Sequence, residues 1–211
     1  MSLLNNKYLF VHINKSGGGV ITTNFRNNGN TKLTGYHRKL EDLLVLAKCQ
    51  NKIDKKDLYI FTIVRNPWDR MLSMYLFYKN THYCPEFFSG ISKIDDDFNN
   101  WIEYIYSDNF DKSRNHSRVN IFKYCFSNQL NWLKDKNNNL INVNKILKYE
   151  DNNLNDFLKN EIKLKNIDTI TRIHPTKHEH YSKYYNDKSI KLVTKYYQDD
   201  IIFFNYSFER L

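Results

Sequence analysis

Tyr8-Leu9-Phe10-Val11-His12-Ile13-Asn14-Lys15-Ser16-Gly17-Gly18-Gly19 carries an apolar run straight into a lysine and three glycines. The apolar run reads as a buried strand and the glycines as a tight turn. Glycine has no Cβ, so backbone N–H groups can close around an anion there. A helix opening just afterwards aims its positive end at the same place. The stretch therefore predicts an anion cradle between a strand over 7–13 and a helix over 18–28. A strand, a Gly-rich turn and a helix also make a plain connection in many α/β domains, so a second element has to decide.

That element is Leu58-Tyr59-Ile60-Phe61-Thr62-Ile63-Val64, another β-branched and aromatic run, which ends in Arg65-Asn66-Pro67-Trp68-Asp69-Arg70. Asn66 suits an N-cap, Pro67 the first helical position and Asp69 the first turn, which predicts a helix over 67–79. Arg65 leaves the strand at the mouth of the site. Arg70 and Ser73 follow Asn66 by four and seven residues, on one helical face. A guanidinium and a hydroxyl on one wall suit a second phosphate.

Further strands are expected over 58–64 and 145–149, and helices over 37–49, 97–107, within 117–134, 151–163 and 187–203. Strands alternating with helices predict an α/β fold with a central parallel sheet, helices on both faces and ligands at the carboxyl ends of the strands. Asn137-Asn138-Asn139 and Asn152-Asn153 read as loops, and no internal repeat or interdomain linker is evident.

With 211 residues, 41% hydrophobic and 16% aromatic, the chain can bury one sizeable core, and a single domain over 1–211 is expected. Its apolar runs are strand-sized and broken by charge, so no membrane span is expected. The N-terminus lacks a basic region followed by a signal-length apolar stretch, and a cytoplasmic protein is expected. Cys49, Cys84 and Cys125 are odd in number and widely spaced, which predicts reduced thiols. His174, His178 and His180 form a His-rich loop without a carboxylate or cysteine at ligand spacing, and no metal site is expected. The net charge of +9 calls for an anionic partner. Nucleic acid is not expected in that role, because neither a recognised binding fingerprint nor a basic arm is present.

Taken together, Lys15-Ser16-Gly17-Gly18 and Arg65-Asn66-Pro67-Trp68-Asp69-Arg70 with Ser73-Met74-Tyr75 resemble the two cofactor signatures of sulfotransferases, in the carbohydrate-type branch (sulfotransferase family 2-like). The usual patterns are His-Ile-Pro-Lys-Thr-Gly-Gly-Thr-Ser and Val-Arg-Asn-Pro-Tyr/Trp-Asp-Arg-x-x-Ser-x-Tyr. Ile146-Leu147-Lys148-Tyr149-Glu150 resembles the family's late strand with its Tyr/Phe-Glu pair. His174-Pro175-Thr176-Lys177-His178-Glu179-His180-Tyr181 with Tyr184-Tyr185 is similar to its C-terminal substrate-side loop, and Tyr196 to Tyr206 to its terminal helix and tail. Residues 80–140 are the least anchored by the resemblance.

The resemblance implies a three-layer P-loop-like fold and the donor 3'-phosphoadenosine 5'-phosphosulfate (PAPS), with the bisphosphate PAP as product. It implies that Lys15 contacts the bridging oxygen and 5'-phosphate as the leaving group departs, and that the turn Ser16, Gly17, Gly18, Gly19 and Val20 holds the phosphosulfate. Arg65 and Ser73 would grip the 3'-phosphate. An acceptor hydroxyl needs a base, worth about 10²- to 10⁴-fold when positioned, and the resemblance puts His37, between the two loops, in that role. His12 is expected to be structural, orienting the loop. Lys177, His178 and Tyr181 border the site without assigned roles, and Arg70 either joins the phosphate wall or pairs with an acid such as Asp69.

Three departures from the pattern bear on the cradle. Asn14 replaces proline, Gly19 replaces threonine, and Val20 replaces a hydroxyl residue, with Thr22 or Thr23 as possible substitutes one turn on. The expected function is transfer of a sulfuryl group from PAPS to a hydroxyl of a carbohydrate or glycoconjugate. Two alternatives stay open: a PAP(S)-binding relative with little or no turnover, and a P-loop nucleotide kinase. The kinase is disfavoured because no Gly-Lys-Ser/Thr follows the glycines and no acidic strand end offers a Mg²⁺ ligand.

Overall fold

The computed structural model describes residues 2–33, 37–80, 97–110, 112–113, 115–116, 119–120, 125–167 and 178–211. In chain order the strands are β1 (Leu3–Leu4), β2 (Tyr8–Val11), β3 (Thr31–Lys32), β4 (Tyr59–Val64), β5 (Asn115–His116), β6 (Val119–Asn120) and β7 (Lys145–Lys148). The helices are α1 (Gly19–Asn28), α2 (Leu40–Asn51), α3 (Pro67–Asn80), α4 (Phe98–Tyr106), α5 (Leu154–Asn160), α6 (Asp187–Tyr196) and α7 (Gln198–Phe203). The chain divides into two units: Met1–Arg65 with Gln129–Pro175, and Asn66–Asn128 with Thr176–Leu211.

The first unit is a five-stranded sheet in the order β3-β1-β2-β4-β7. Its three strands β2, β4 and β7 run parallel, pairing Phe10 with Phe61 and Ile63 with Leu147. Ile60 to Val64 of β4 are all buried, so side chains on both faces of that strand are covered. The one hydroxyl in that run, on Thr62, donates to the Val11 carbonyl at 2.8 Å. On one face Phe10, Phe61, Ile63 and Leu147 pack with Ile21 and Phe25 of α1 and Phe157 and Leu158 of α5. Ile21 and Phe25 lie four apart, one above the other on the buried side of α1. Each such side chain contributes roughly 1.5–3 kcal/mol by leaving water.

The expected parallel sheet holds for these three strands, whereas β1 and β3 make it mixed. β1 turns back antiparallel to β2 through Asn5 and Asn6, both at positive φ (51° and 56°), closed by the Lys7 N–H to the Leu4 carbonyl at 3.0 Å. Asparagine tolerates that conformation better than other residues with a Cβ.

In the second unit α3, α4 and α6 gather around Trp68, Met71, Leu72, Phe98, Trp101, Ile105, Val193 and Tyr197. Asp97 caps α4 through the N–H groups of Asn99 and Asn100, and Asn186 with Ser189 forms a reciprocal capping box on α6. The helix expected over 187–203 is two helices that meet at Tyr197, whose backbone leaves the helical region (φ −111°, ψ 25°). Asp199 and Asp200 then open α7, favourable at a helix N-terminus. Of the helix expected within 117–134, residues 117–118 and 121–124 lie outside the described residues, while Cys125 is helical and Gln129–Trp132 form a 3₁₀ turn. The Cys125 and Ser127 carbonyls accept from the Arg70 guanidinium, at 3.2 and 3.0 Å. Of the thiols, Cys49 is exposed and Cys125 buried, neither in a disulfide, and Cys84 lies outside the described residues.

Candidate functional site

Beyond Val11 the chain turns tightly before α1 begins at Gly19. Lys15 and Gly17 both take positive φ, 59° and 88°. For lysine that conformation costs about 1–2 kcal/mol. Such a reversal of backbone hand turns successive N–H groups toward one concavity, the geometry of an anion nest. Gly17 is required twice over, by its φ and because a Cβ there would stand 2.5 Å from Tyr149 Cδ2. Gly18 is required by space alone: a Cβ would strike the His12 ring and come within 2.7 Å of Phe10 Cζ. Ser16 is buried and its hydroxyl donates to the Ile13 carbonyl at 2.8 Å, so it holds the turn while its backbone remains part of the cradle. The first turn of α1 carries no acidic residue to offset its positive end. Val20 is half-buried and brings no hydroxyl. The Thr22 hydroxyl donates to the Gly19 carbonyl at 2.8 Å, so its proton is committed within the helix, while Thr23 is half-buried one residue on.

Arg65, the residue after β4, comes to this turn. Its Nη1 donates to the Lys15 carbonyl at 3.3 Å, and its guanidinium lies 4.5 Å from the centre of the Tyr149 ring. Tyr149 thus touches both loops, packing against Gly17 and stacking under Arg65. Gln129 grips the Arg65 backbone: its Oε1 accepts the Arg65 N–H at 2.9 Å and its Nε2 donates to the Arg65 carbonyl at 2.8 Å. Burial first, and the neighbouring Arg65 charge second, pull the Lys15 ammonium down from its ordinary 10.5 to about 8. Two cations gathered at a partly dry turn suit a multiply charged anion.

His37 adjoins the same turn. Its Nδ1 is 3.0 Å from the His12 carbonyl, and the two rings are 4.2 Å apart. A carbonyl only accepts, so the neutral His37 ring carries its proton on Nδ1 and its lone pair on Nε2. That is the tautomer a general base needs. His12 stacks on Phe10 and fills the space that Gly18 leaves open, so contacts run from cradle through His12 to His37. Burial, then the neighbouring His37 and the chain's amino terminus, hold the His12 pKa well below the ordinary 6.5, so it stays neutral and structural. Trp132 meets His37 edge-on with ring centres 6.4 Å apart.

In the second unit, Asn66 caps α3 as expected: its side-chain oxygen accepts the Trp68 N–H at 3.0 Å and the Asp69 N–H at 3.4 Å. Ser73 is buried on α3. Arg70 is fully buried and bonded to the Cys125 and Ser127 carbonyls. These contacts place it in that unit's core. His178 Nε2 lies 3.9 Å from an Asp69 carboxylate oxygen, and the Tyr181 hydroxyl accepts from the Glu209 N–H at 2.9 Å. His174 and Lys177 lie outside the described residues.

Lys15, Ser16, Gly17, Gly18, Gly19, Val20, His37 and Arg65 all belong to the first unit, where the contacts above tie Lys15, Gly17, Gly18, His37 and Arg65 together, while Ser73 belongs to the second. Gln129 was not visible as a site residue, because a single glutamine in a polar stretch carries no local signal. Tyr149 stood in a recognisable strand end, but its contact with Gly17 spans 132 positions and only the fold reveals it.

The Sulfotransferase family model matches residues 1–207, which includes segments of both units. Comparison with curated proteins and with solved structures returned no match.

Proposed function

The chain belongs to the sulfotransferase family, and from that premise we propose that it uses PAPS to sulfate a hydroxyl of a carbohydrate or glycoconjugate. The carrying observation is the 3.3 Å contact of the Arg65 guanidinium with the Lys15 carbonyl, through which the two signature loops meet. The residues fit the donor: a cradle in which neither Gly17 nor Gly18 has room for a Cβ, and two cations for its phosphates. The β2-β4-β7 parallel core, with both loops at strand ends, supports a three-layer P-loop-like arrangement, and the extent of the family match supports one functional domain over 1–211.

When bound, PAPS supplies the sulfuryl group for in-line transfer. The backbone N–H groups from Ser16 to Gly19 would hold the phosphosulfate, and Lys15 would supply the positive charge that sulfuryl transfer calls for at the bisphosphate. Arg65 would hold the 3'-phosphate, a role that the family pattern also gives to Ser73, and the Val20 backbone would border the 5' end. His37 Nε2 takes the acceptor proton, its ring orientation fixed by the His12 carbonyl. The loss of hydroxyls at Gly19 and Val20 shifts the hold on the phosphosulfate toward backbone amides and Lys15.

The test is transfer of labelled sulfate from PAPS to a panel of glycans, with Lys15→Ala and His37→Ala alongside. Transfer that is lost in both variants, with donor binding retained by His37→Ala, supports the proposal. Donor binding without transfer to any glycan favours the binding-only alternative that the Gly19 and Val20 departures raise. Sulfation of a non-carbohydrate hydroxyl removes the acceptor class alone.

A further inference from the structure

Resting on the donor site proposed above, we infer that Gln129 is a positioning residue that sets Arg65 for the 3'-phosphate. Arg65 follows the last β4–β7 ladder pair, Val64 with Lys148, so its backbone groups have run past the sheet. The fully buried Gln129 carboxamide supplies what a further strand residue would supply, an acceptor at 2.9 Å and a donor at 2.8 Å on one residue's N–H and C=O. Both hydrogen bonds converge on the residue whose side chain reaches the cradle, so they fix the backbone from which the guanidinium extends to Tyr149 and Lys15. Gln129 also opens the one 3₁₀ turn that ends at Trp132, the ring against His37. One short turn thereby braces the cation on the donor side and the base on the acceptor side.

A structural amide would be equally well hydrogen-bonded, but it would affect every ligand alike. A positioning residue acts only where Arg65 acts. Calorimetry of the full chain with adenosine 3',5'-bisphosphate and with adenosine 5'-phosphate separates the two. For Gln129→Met, which keeps the volume and removes both hydrogen bonds, the bisphosphate affinity falls about tenfold and the 5'-phosphate affinity less than about twofold. Gln129→Asn, whose shorter arm cannot make both bonds, gives the same selectivity loss and serves where the methionine variant fails to fold. In an Arg65→Ala background, Gln129→Met leaves the bisphosphate affinity unchanged within about twofold, since the group it positions is gone. Equal weakening of both ligands, no weakening of either, or a further loss on top of Arg65→Ala overturns the inference while leaving the donor site intact. A wild-type chain that binds neither ligand overturns the donor reading, and this inference with it.

Discussion

Lys15 should make donor binding take up a proton. Its ammonium is held near 8 rather than 10.5, chiefly because burial strips its water and secondly because Arg65 repels it. At about 1.4 kcal/mol per tenfold, the charged form in the empty site carries a penalty on the order of 3 kcal/mol. The sign follows from proton counts: between pH 8 and 10.5 the unfolded chain holds this proton and the folded chain does not. The penalty is present in full below pH 8 and lifts as pH rises toward 10.5, so this group alone makes stability increase across that window. An anion in the cradle offsets the penalty by giving the ammonium a counter-charge, and the pKa climbs back. Above pH 8, therefore, adenosine 3',5'-bisphosphate binds with uptake of up to about one proton, and affinity falls by up to about tenfold per pH unit. Calorimetry at about pH 7 and about pH 9, in buffers of differing ionisation enthalpy, measures both quantities. Lys15→Met should abolish the uptake and weaken binding, yet melt no lower than wild type near pH 7, because it removes a desolvated charge and leaves the positive φ as it was. A pH-independent affinity without proton uptake, or a methionine variant that binds as tightly as wild type, refutes this account.

Four further outcomes test other parts of the molecule. Gly17→Ala meets both a φ of 88° and the Tyr149 ring at 2.5 Å; it should cost roughly 2–4 kcal/mol in denaturant titration and abolish donor binding. His37→Ala should lower sulfate transfer by about 10²- to 10⁴-fold while the calorimetric donor affinity stays within about twofold. His12 is held neutral below its ordinary 6.5, so acid must charge a buried ring; stability should drop as pH falls below that value, and His12→Phe should flatten this acid limb in melts taken across the range. Arg70→Met removes the buried donors to the Cys125 and Ser127 carbonyls and should lower stability by roughly 2–4 kcal/mol, measured by chemical denaturation.

How far the sequence could be read follows from which interactions are local. The strands at Tyr8–Val11 and Tyr59–Val64 and the helix from Pro67 were legible because apolar runs, an N-cap and a proline act within a few residues. β1 and β3 were not, since two residues each are too short to show alternation and Asn5-Asn6 is a weaker turn signal than a pair containing glycine. The break at Tyr197 was hidden for a different cause: the residue is wholly buried and its hydroxyl donates to the Phe126 carbonyl at 3.0 Å, a tertiary demand that overrides helical continuity. Arg70 reads like a phosphate ligand by spacing, and only the carbonyls brought to it by the fold assign it to the core. In the candidate site the glycines, Lys15 and Arg65 announced themselves by type and order. The residues that hold them, Gln129 and Tyr149, did not, because a clamp is defined by what it grips.

In the function proposed above, binding and turnover rest on different residues, and each carries its own mark. Lys15 bears two local costs, a positive φ and a desolvated charge, and an anion in the cradle relieves the second. A protein that merely stabilised its turn would be better served by an uncharged residue there, so these costs favour anion binding, whether or not a reaction follows. Turnover asks for something that binding does not, a lone pair held in one orientation near the cradle. The 3.0 Å approach of His37 Nδ1 to the His12 carbonyl supplies that lone pair on Nε2, and the His12 ring packed over Gly18 ties its position to the loop. A binding-only relative would have no use for that constraint. The two cases therefore part at His37: replacement by Asn, which can donate to the His12 carbonyl but offers no base, should leave a binding protein untouched and silence an enzyme.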